Sequence, residues 1–177
     1  MEEARRLAQA PNTYWTDQFN NQDAVRGYEQ LGNELTIQVD ARTDVFCASV
    51  GTAAMLMGVS RVLKSDNTRI VAFEPSSSPV LTAGTAGTHH VEGIGTSFVP
   101  PLFDPDSVDE VRTIDESDAR EMARLLAREE GIFTGTSSGL NVVGALQLAQ
   151  ELGEGHTVVT VAVDSGLKYL AGDLYQF

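Results

Sequence analysis

Hydrophobic and polar positions along the chain follow two periods, one typical of buried strands and one typical of helices. Short apolar runs rich in β-branched and aromatic residues, bounded by glycine or proline, predict strands. Segments whose apolar residues recur every third or fourth position predict helices. The predicted strands are 44–50, RIVAFEP (69–75), VDEVRTI (108–114) and HTVVTVAV (156–163), and the predicted helices are 2–9, 23–39, TAAMLMGVSRVLK (52–64), 116 to about 130, and 137–152.

The alternation of these strands and helices predicts the fold class. It indicates an α/β chain with a mainly parallel sheet covered by helices on both faces. Ligands of such sheets bind at the carboxyl ends of the strands, so the loops that follow strands are the ones to inspect. The passage 76–105, rich in Ser, Gly and Pro, is long for a structureless loop, and we expect it to be functional or partly structured.

Composition narrows the class of protein. A chain of 177 residues with 42% hydrophobic side chains can bury a core as one domain. Its apolar runs fall short of the roughly 18 residues of a membrane span, and its start lacks the features of a signal peptide, so we predict no membrane partner and a cytoplasmic location. The 25 acidic and 12 basic residues argue against a nucleic-acid partner. An acidic surface poor in lysine is typical of proteins adapted to concentrated salt, and equally of ordinary acidic cytosolic proteins.

The phrase Gly135-Thr136-Ser137-Ser138-Gly139 fits the G-x-S-x-G pattern of a serine hydrolase. Chain order argues against that function, because no histidine follows Asp164 and a triad with His156 would need another order and fold. Two alternatives remain open. Ser137 caps the predicted helix, which is the simplest explanation from spacing alone, or its hydroxyl serves a bound cofactor.

A second helix start gives an anion site. Val50-Gly51-Thr52-Ala53-Ala54 turns from a strand into a helix, which leaves free backbone N–H groups at the positive end of the helix dipole. A Walker loop is excluded, because it needs a lysine directly after a glycine and neither lysine of the chain follows one. A dinucleotide-binding motif is excluded as well, because its nearest match, Gly93 to Phe98, lacks the third glycine.

Metal and thiol chemistry receive little support from the sequence. Adjacent His89 and His90 have no further ligand at metal spacing, so we predict no metal site and expect a loop role for both. The single cysteine, Cys47, lies in an apolar run and is expected to pack as a small hydrophobic residue.

Seven sequence blocks, in the same order, resemble the C-terminal part of the cysteine synthase and cystathionine β-synthase family. This family belongs to the tryptophan synthase β-like (fold type II) pyridoxal-phosphate enzymes. The resemblance therefore implies the large domain of that fold, with a division into a remnant of the small domain (1–24) and a cofactor domain (25–177). The blocks are YWTDQFNN, DVFCASVGTAAMLMGVSRVLK, AFEPSSSPVL, HHVEGIGTSFVP, VDEVRTIDESDA, LLAREEGIFTGTSSG and DSGLKYL.

The resemblance also implies a cofactor, pyridoxal 5'-phosphate, and a place for it. Ser137 would lie beside the pyridine nitrogen as a hydrogen-bond partner rather than a nucleophile, and Gln18, Phe19 and Gly93 would line the substrate side. Ser165 and Gly166 match the motif after the last strand. It further implies a small amino-acid substrate and a homodimer or larger oligomer. The residues matching the phosphate loop are Gly51, Thr52, Ala53, Ala54 and Met55.

Three departures from the family pattern matter. The phosphate loop of the family reads G-T-G-G-T, whereas this chain has alanines at 53 and 54 and Met55 in place of a hydroxyl. Val163 and Lys168 replace the usual proline and arginine. The Schiff-base lysine belongs to the first third of such enzymes and matches neither Lys64 nor Lys168, so no catalytic residue is expected in this chain.

The function implied by the resemblance is β-replacement, in which O-acetylserine and sulfide give cysteine. Two alternatives stay open at this point. In the first, the chain is non-catalytic, either a truncated remnant or a domain that binds an anion or a protein partner. In the second, a separate chain supplies the N-terminal part with its lysine.

Overall fold

The computed structural model describes residues 2–39, 42–64 and 67–176. Among these residues, four strands form one parallel sheet in the order β3-β2-β1-β4. The predicted α/β class with a parallel sheet is therefore confirmed. In chain order the elements are α1 (Glu2–Leu7), α2 (Gln22–Gln38), β1 (Val45–Ser49), α3 (Ala54–Leu63), β2 (Arg69–Pro75), α4 (Val80–Ala83), β3 (Glu110–Ile114), α5 (Glu116–Leu125), α6 (Thr136–Leu152) and β4 (Val158–Val159).

Each face of the sheet carries its own layer of helices. Successive side chains of a strand point to opposite faces, so the continuous apolar run of β1 supplies both cores. Phe46 and Ala48 join the core formed with α2 and α3. Val45 and Cys47 join the core formed with α6, where Leu140 is also fully buried. Helices on both faces are thus a direct consequence of strands that are apolar on both sides.

Close packing of α5 against α6 fixes the start of α6. A Cβ atom built on Gly139 would lie 2.0 Å from the carbonyl oxygen of Ala119, which no side chain could tolerate. The two helices therefore meet through their backbones at the first turn of α6. This contact seats the amino end of α6 beside the carboxyl ends of the strands.

The last strand is shorter than its sequence indicates. The prediction of a strand over 156–163 was wrong in length, because backbone pairing with β1 covers only Val158 and Val159. Beyond Val159, hydrogen bonds from side chains replace the backbone pairs of the ladder. The Thr160 hydroxyl donates to the Cys47 carbonyl (2.7 Å), and the Asn141 amide donates to the Val161 carbonyl (3.0 Å). The chain stays beside β1 without forming a ladder.

The other boundaries agree closely with the predictions. The helix expected to reach about residue 130 changes at Leu125 from α-helical to π-helical bonding, continues over Leu126–Glu130, and ends at Gly131 with φ of +69°. Within the long passage 76–105, α4 forms next to the buried Glu74 carboxylate, which accepts hydrogen bonds from the N–H groups of Leu81 and Thr82. The passage is therefore partly structured, as expected.

The proposed division at residues 24 and 25 falls near the start of α2 and stays a prediction. Residues 1, 40, 41, 65, 66 and 177, which the two proposed regions include, lie outside the described ranges. Within the described ranges, no helix combines the length and the apolar character required to cross a bilayer.

Candidate functional site

A cavity of about 250 Å³ opens at the carboxyl end of β1, between the amino ends of α3 and α6. This is the edge of a parallel sheet at which ligands are expected to bind. Its walls come from both helix starts, from α2, from the loop around Gly93, and from the chain that follows β4. The lining residues are Tyr28, Ser49, Gly51, Thr52, Ala53, Met55, Leu56, Glu92, Gly93, Ile94, Ser137, Val163, Asp164 and Lys168.

The amino end of α3 presents unpaired backbone donors to this cavity. No side chain caps the helix at Ala53, and among the described residues 51–56 only the N–H of Ala54 has an acceptor, the Thr52 hydroxyl at 3.3 Å. Within the described residues, the N–H groups of residues 51–53, 55 and 56 have no acceptor. Together with the helix dipole, these donors make the turn an anion site.

The two alanines of this turn differ in conformation. Ala53 has φ of +70°, in the left-handed region, whereas Ala54 is the first residue of α3. A non-glycine residue in the left-handed region costs about 1–2 kcal/mol. The sequence departure at residue 53 therefore strains the backbone, and the departure at residue 54 does not.

The loop at Gly93 is held directly against the end of β1. A Cβ atom on Gly51 would lie 2.4 Å from the Gly93 carbonyl oxygen, so only glycine permits this contact. The Gly95 N–H donates to the Val50 carbonyl (3.2 Å), and the His89 Nε2 lies 2.9 Å from the Gly95 carbonyl, to which it donates. His89 therefore has the expected loop role, and it fixes one wall of the cavity.

Ser137 and Ser138 have different surroundings although they are adjacent. The Ser138 hydroxyl accepts a hydrogen bond from the Val163 N–H at 2.8 Å and is fully buried. Ser137 is 5% exposed and lines the cavity, and no hydrogen bond of its hydroxyl is found among the described residues. The cavity side of α6 thus carries one free hydroxyl.

Two explanations of Ser137 can now be corrected. Gly135 is the N-cap of α6 and Ser137 lies inside its first turn, so the interpretation of Ser137 as the cap is wrong. The hydrolase alternative also finds no support, because His156 is exposed and precedes β4, at the end of the sheet opposite the cavity.

Asp164 holds together the cavity wall that is formed by the chain after β4. Its carboxylate accepts hydrogen bonds from the Gly135 N–H (3.2 Å) and the Tyr169 hydroxyl (2.7 Å), and the Lys168 Nζ lies 3.2 Å away. Burial raises the pKa of Tyr169, and the hydrogen bond to Asp164 raises it further, so this hydroxyl is a donor at neutral pH. The wall is therefore tied to the start of α6.

The structure brings together six of the residues that the sequence analysis assigned to the site: Gly51, Thr52, Ala53, Met55, Gly93 and Ser137 all line the cavity. Ala54 follows in the same turn. Gln18 and Phe19 are not in the lining: Gln18 is exposed, and the Phe19 ring packs edge-on against Phe98 with 5.3 Å between the ring centroids.

Other lining residues were missed in the sequence. Asp164 and Val163 carried a signal, since Val163 ends a predicted strand and Asp164 follows it. Tyr28 and Glu92 carried none, because their positions depend on contacts between distant segments.

Comparison with known proteins decides the family. Residues 1–164 match the model of the family described as "Pyridoxal-phosphate dependent enzyme". The chain belongs to this family. Cysteine synthase of Staphylococcus aureus (strain Mu50) is 40% identical over 181 residues, which cover all of this chain and 58% of that protein.

Solved structures of family members agree with this assignment. The crystal structure of cysteine synthase from Entamoeba histolytica superposes with a TM-score of 0.92 at 34% identity, covering 98% of this chain and 53% of that one. The O-acetylserine dependent cystathionine β-synthase of Helicobacter pylori gives 0.91 at 32% identity, covering 99% and 58%. The chain thus spans a little over half the length of the pyridoxal-phosphate enzymes that it matches.

Proposed function

We propose that this chain forms the cofactor-holding part of a cysteine-synthase-like enzyme, with the phosphate of pyridoxal 5'-phosphate on the turn before α3 and the pyridine nitrogen at Ser137. One observation carries the proposal: unpaired backbone donors and an unpaired hydroxyl face the same cavity. Unpaired polar groups near a protein's interior are costly, and they mark a place where a ligand completes the hydrogen bonds.

The turn before α3 fits a phosphate group. Its free N–H groups converge with the positive end of the helix dipole, a combination that favours doubly charged oxyanions. Met55 contributes no hydroxyl, so backbone donors and Thr52 would carry the contact. We therefore expect binding that is weaker than a loop with an additional hydroxyl would give.

The Ser137 hydroxyl fits a neutral partner for a ring nitrogen. Unlike a carboxylate, it leaves that nitrogen largely unprotonated, which moderates the electron sink that the cofactor supplies when bound. This arrangement suits elimination and addition at the β-carbon of an amino acid. We propose that Gly93 faces the small amino-acid substrate, and that Gln18 and Phe19, which lie in the turn before α2 and outside the cavity lining, belong to the substrate side. We also propose that β-replacement of O-acetylserine by sulfide is the reaction of the complete enzyme.

Neither lysine of the chain is assigned the catalytic role. Lys64 caps the carboxyl end of α3, where its Nζ lies 3.5 Å from Asp109, about 15 Å of helix away from the phosphate turn. Lys168 lines the cavity but pairs with Asp164. We propose that this chain alone binds the cofactor without turnover, and that residues 1–24 and 25–177 correspond to a small-domain remnant and the cofactor domain.

Titration with pyridoxal phosphate tests the cofactor site. The wild-type chain should bind saturably with a change in cofactor absorbance. Ser137→Ala should weaken binding about five- to ten-fold, the value of one hydrogen bond of about 1 kcal/mol. Ser107→Ala is the matched control, because its hydroxyl bonds Asp104 outside the cavity. Equal affinity of wild type and Ser137→Ala would contradict the placement of the nitrogen.

Borohydride reduction of the mixture, followed by mass spectrometry, tests the assignment of the lysines. We expect no stoichiometric lysine adduct and no cysteine formation from O-acetylserine and sulfide. Lys168→Gln and Lys64→Gln form a matched pair of variants, since only the first alters the cavity. Turnover together with labelling that Lys168→Gln abolishes would show that Lys168 is the catalytic amine and that the assignment is wrong.

A further inference from the structure

The charges that line the cavity are unbalanced. Three charged side chains contribute to its walls, namely the acidic Glu92 and Asp164 and the basic Lys168. Lys168 and Asp164 form an ion pair at 3.2 Å and compensate each other. Glu92 has neither an ion pair nor a hydrogen bond within the described part of the chain. One negative charge at the cavity is therefore without a counter-charge.

The position of Glu92 is fixed by its loop. It directly precedes Gly93, whose carbonyl touches Gly51, and the loop is tied to the end of β1 through Gly95. The charge of Glu92 also acts on the opposite wall. It adds to the effect of burial and of Asp164 in raising the pKa of Tyr169.

We propose that Glu92 sets the charge preference for the second substrate, admitting neutral hydrogen sulfide and thiols with an ammonium group and disfavouring anionic thiols. This inference rests on the proposed function, since it concerns the molecule that enters beside the bound cofactor. An unpaired carboxylate attracts a cation and repels an anion at the same position. Because Glu92 is exposed, solvent screens its field, and the preference is expected to be moderate.

Deoxypyridoxine phosphate, a cofactor analogue without the aldehyde, separates binding from reaction with amines. The chain is first titrated with this analogue and then, when loaded, with cysteamine and with mercaptopropionate. These two thiols have the same chain length and opposite charges. The variants are wild type, Glu92→Gln, and Glu154→Gln as a matched control, because Glu154 is exposed and outside the cavity lining.

The wild type should bind cysteamine more tightly than mercaptopropionate, and Glu92→Gln should reduce that preference about five-fold. The substitution removes both the attraction of cysteamine and the repulsion of mercaptopropionate, which together amount to about 1 kcal/mol for an exposed, screened charge. Glu154→Gln should keep the wild-type ratio. If Glu92→Gln binds the analogue but keeps the wild-type ratio of affinities for the two thiols, the inference about Glu92 is wrong and the proposed function stands. Absence of saturable analogue binding would overturn the proposed function, and the inference with it.

Discussion

Replacing Asn141 by leucine should destabilise the fold more than any loss of a single surface contact. The Asn141 side chain is fully buried in α6 and bridges two backbone segments. Its Oδ1 accepts from the Ser49 N–H at 2.7 Å, and its Nδ2 donates to the Val161 carbonyl at 3.0 Å. Leucine has a similar size but restores neither bond, so both backbone groups lose their partner.

The magnitude follows from the burial of those two groups. Ser49 is buried, so its N–H would remain unpaired at a cost of about 1–3 kcal/mol. Val161 is half-buried, and its carbonyl can turn to water at a cost of about 0.5–1 kcal/mol. The free energy of unfolding should therefore fall by about 1.5–4 kcal/mol, a large part of the ~5–15 kcal/mol typical of a domain.

Urea denaturation followed by far-ultraviolet circular dichroism measures this loss. With a slope of about 2 kcal/mol per molar urea, the midpoint should fall by about 1–2 M at an unchanged slope. Thr160→Val is the matched control, because it removes one bond, from its hydroxyl to the Cys47 carbonyl, and should cost about 1 kcal/mol. A loss for Asn141→Leu no larger than that of Thr160→Val would refute the reasoning.

Five further predictions concern the site and the surface. Ala53→Val should lower the free energy of unfolding by about 2 kcal/mol or more, since a β-branched residue tolerates φ of +70° poorly, and Met55→Thr should tighten phosphate binding about five-fold in a titration by adding a hydroxyl. The Cys47 thiol, whose pKa burial raises to about 12, should react with iodoacetamide only after unfolding, and rapid native labelling would contradict this. The melting temperature should rise from dilute buffer to molar potassium chloride, because salt screens the repulsion of a net charge of -13; a flat curve would remove the basis for salt adaptation. Exposed apolar residues beside the cavity, among them Val163, Leu167 and Leu170, should cause concentration-dependent self-association in light scattering, whereas a monodisperse monomer would contradict it.

The strands show what the sequence pattern does and does not encode. The run RIVAFEP coincides with β2, Arg69–Pro75, because a strand buried on both faces needs a continuous apolar run that few other elements show. The run HTVVTVAV has the same signature but pairs over two residues only. Its ladder is replaced by hydrogen bonds from Asn141 and Thr160, and no periodicity along the strand itself contains that information.

Some residues of the candidate site could also be predicted from the sequence, and others could not. Gly51 and Ser137 were found because each follows a strand or opens a helix at the ligand-binding edge of a parallel sheet. The left-handed conformation of Ala53 has no signal in the sequence, since alanine rarely occupies it. Glu92 and Tyr28 reach the cavity through the packing of a loop and of α2, and such contacts between distant segments are set by tertiary structure.

Chemical-shift mapping tests the central claim, that the turn before α3 and the start of α6 hold one cofactor. A ¹⁵N-labelled chain of 19.0 kDa gives resolved amide signals, which can be followed as pyridoxal phosphate is added. The account predicts the largest shifts at the N–H groups of residues 51–56 and at Ser137, saturating together with one dissociation constant. Saturable shifts centred elsewhere, or none at residues 51–56, would contradict it.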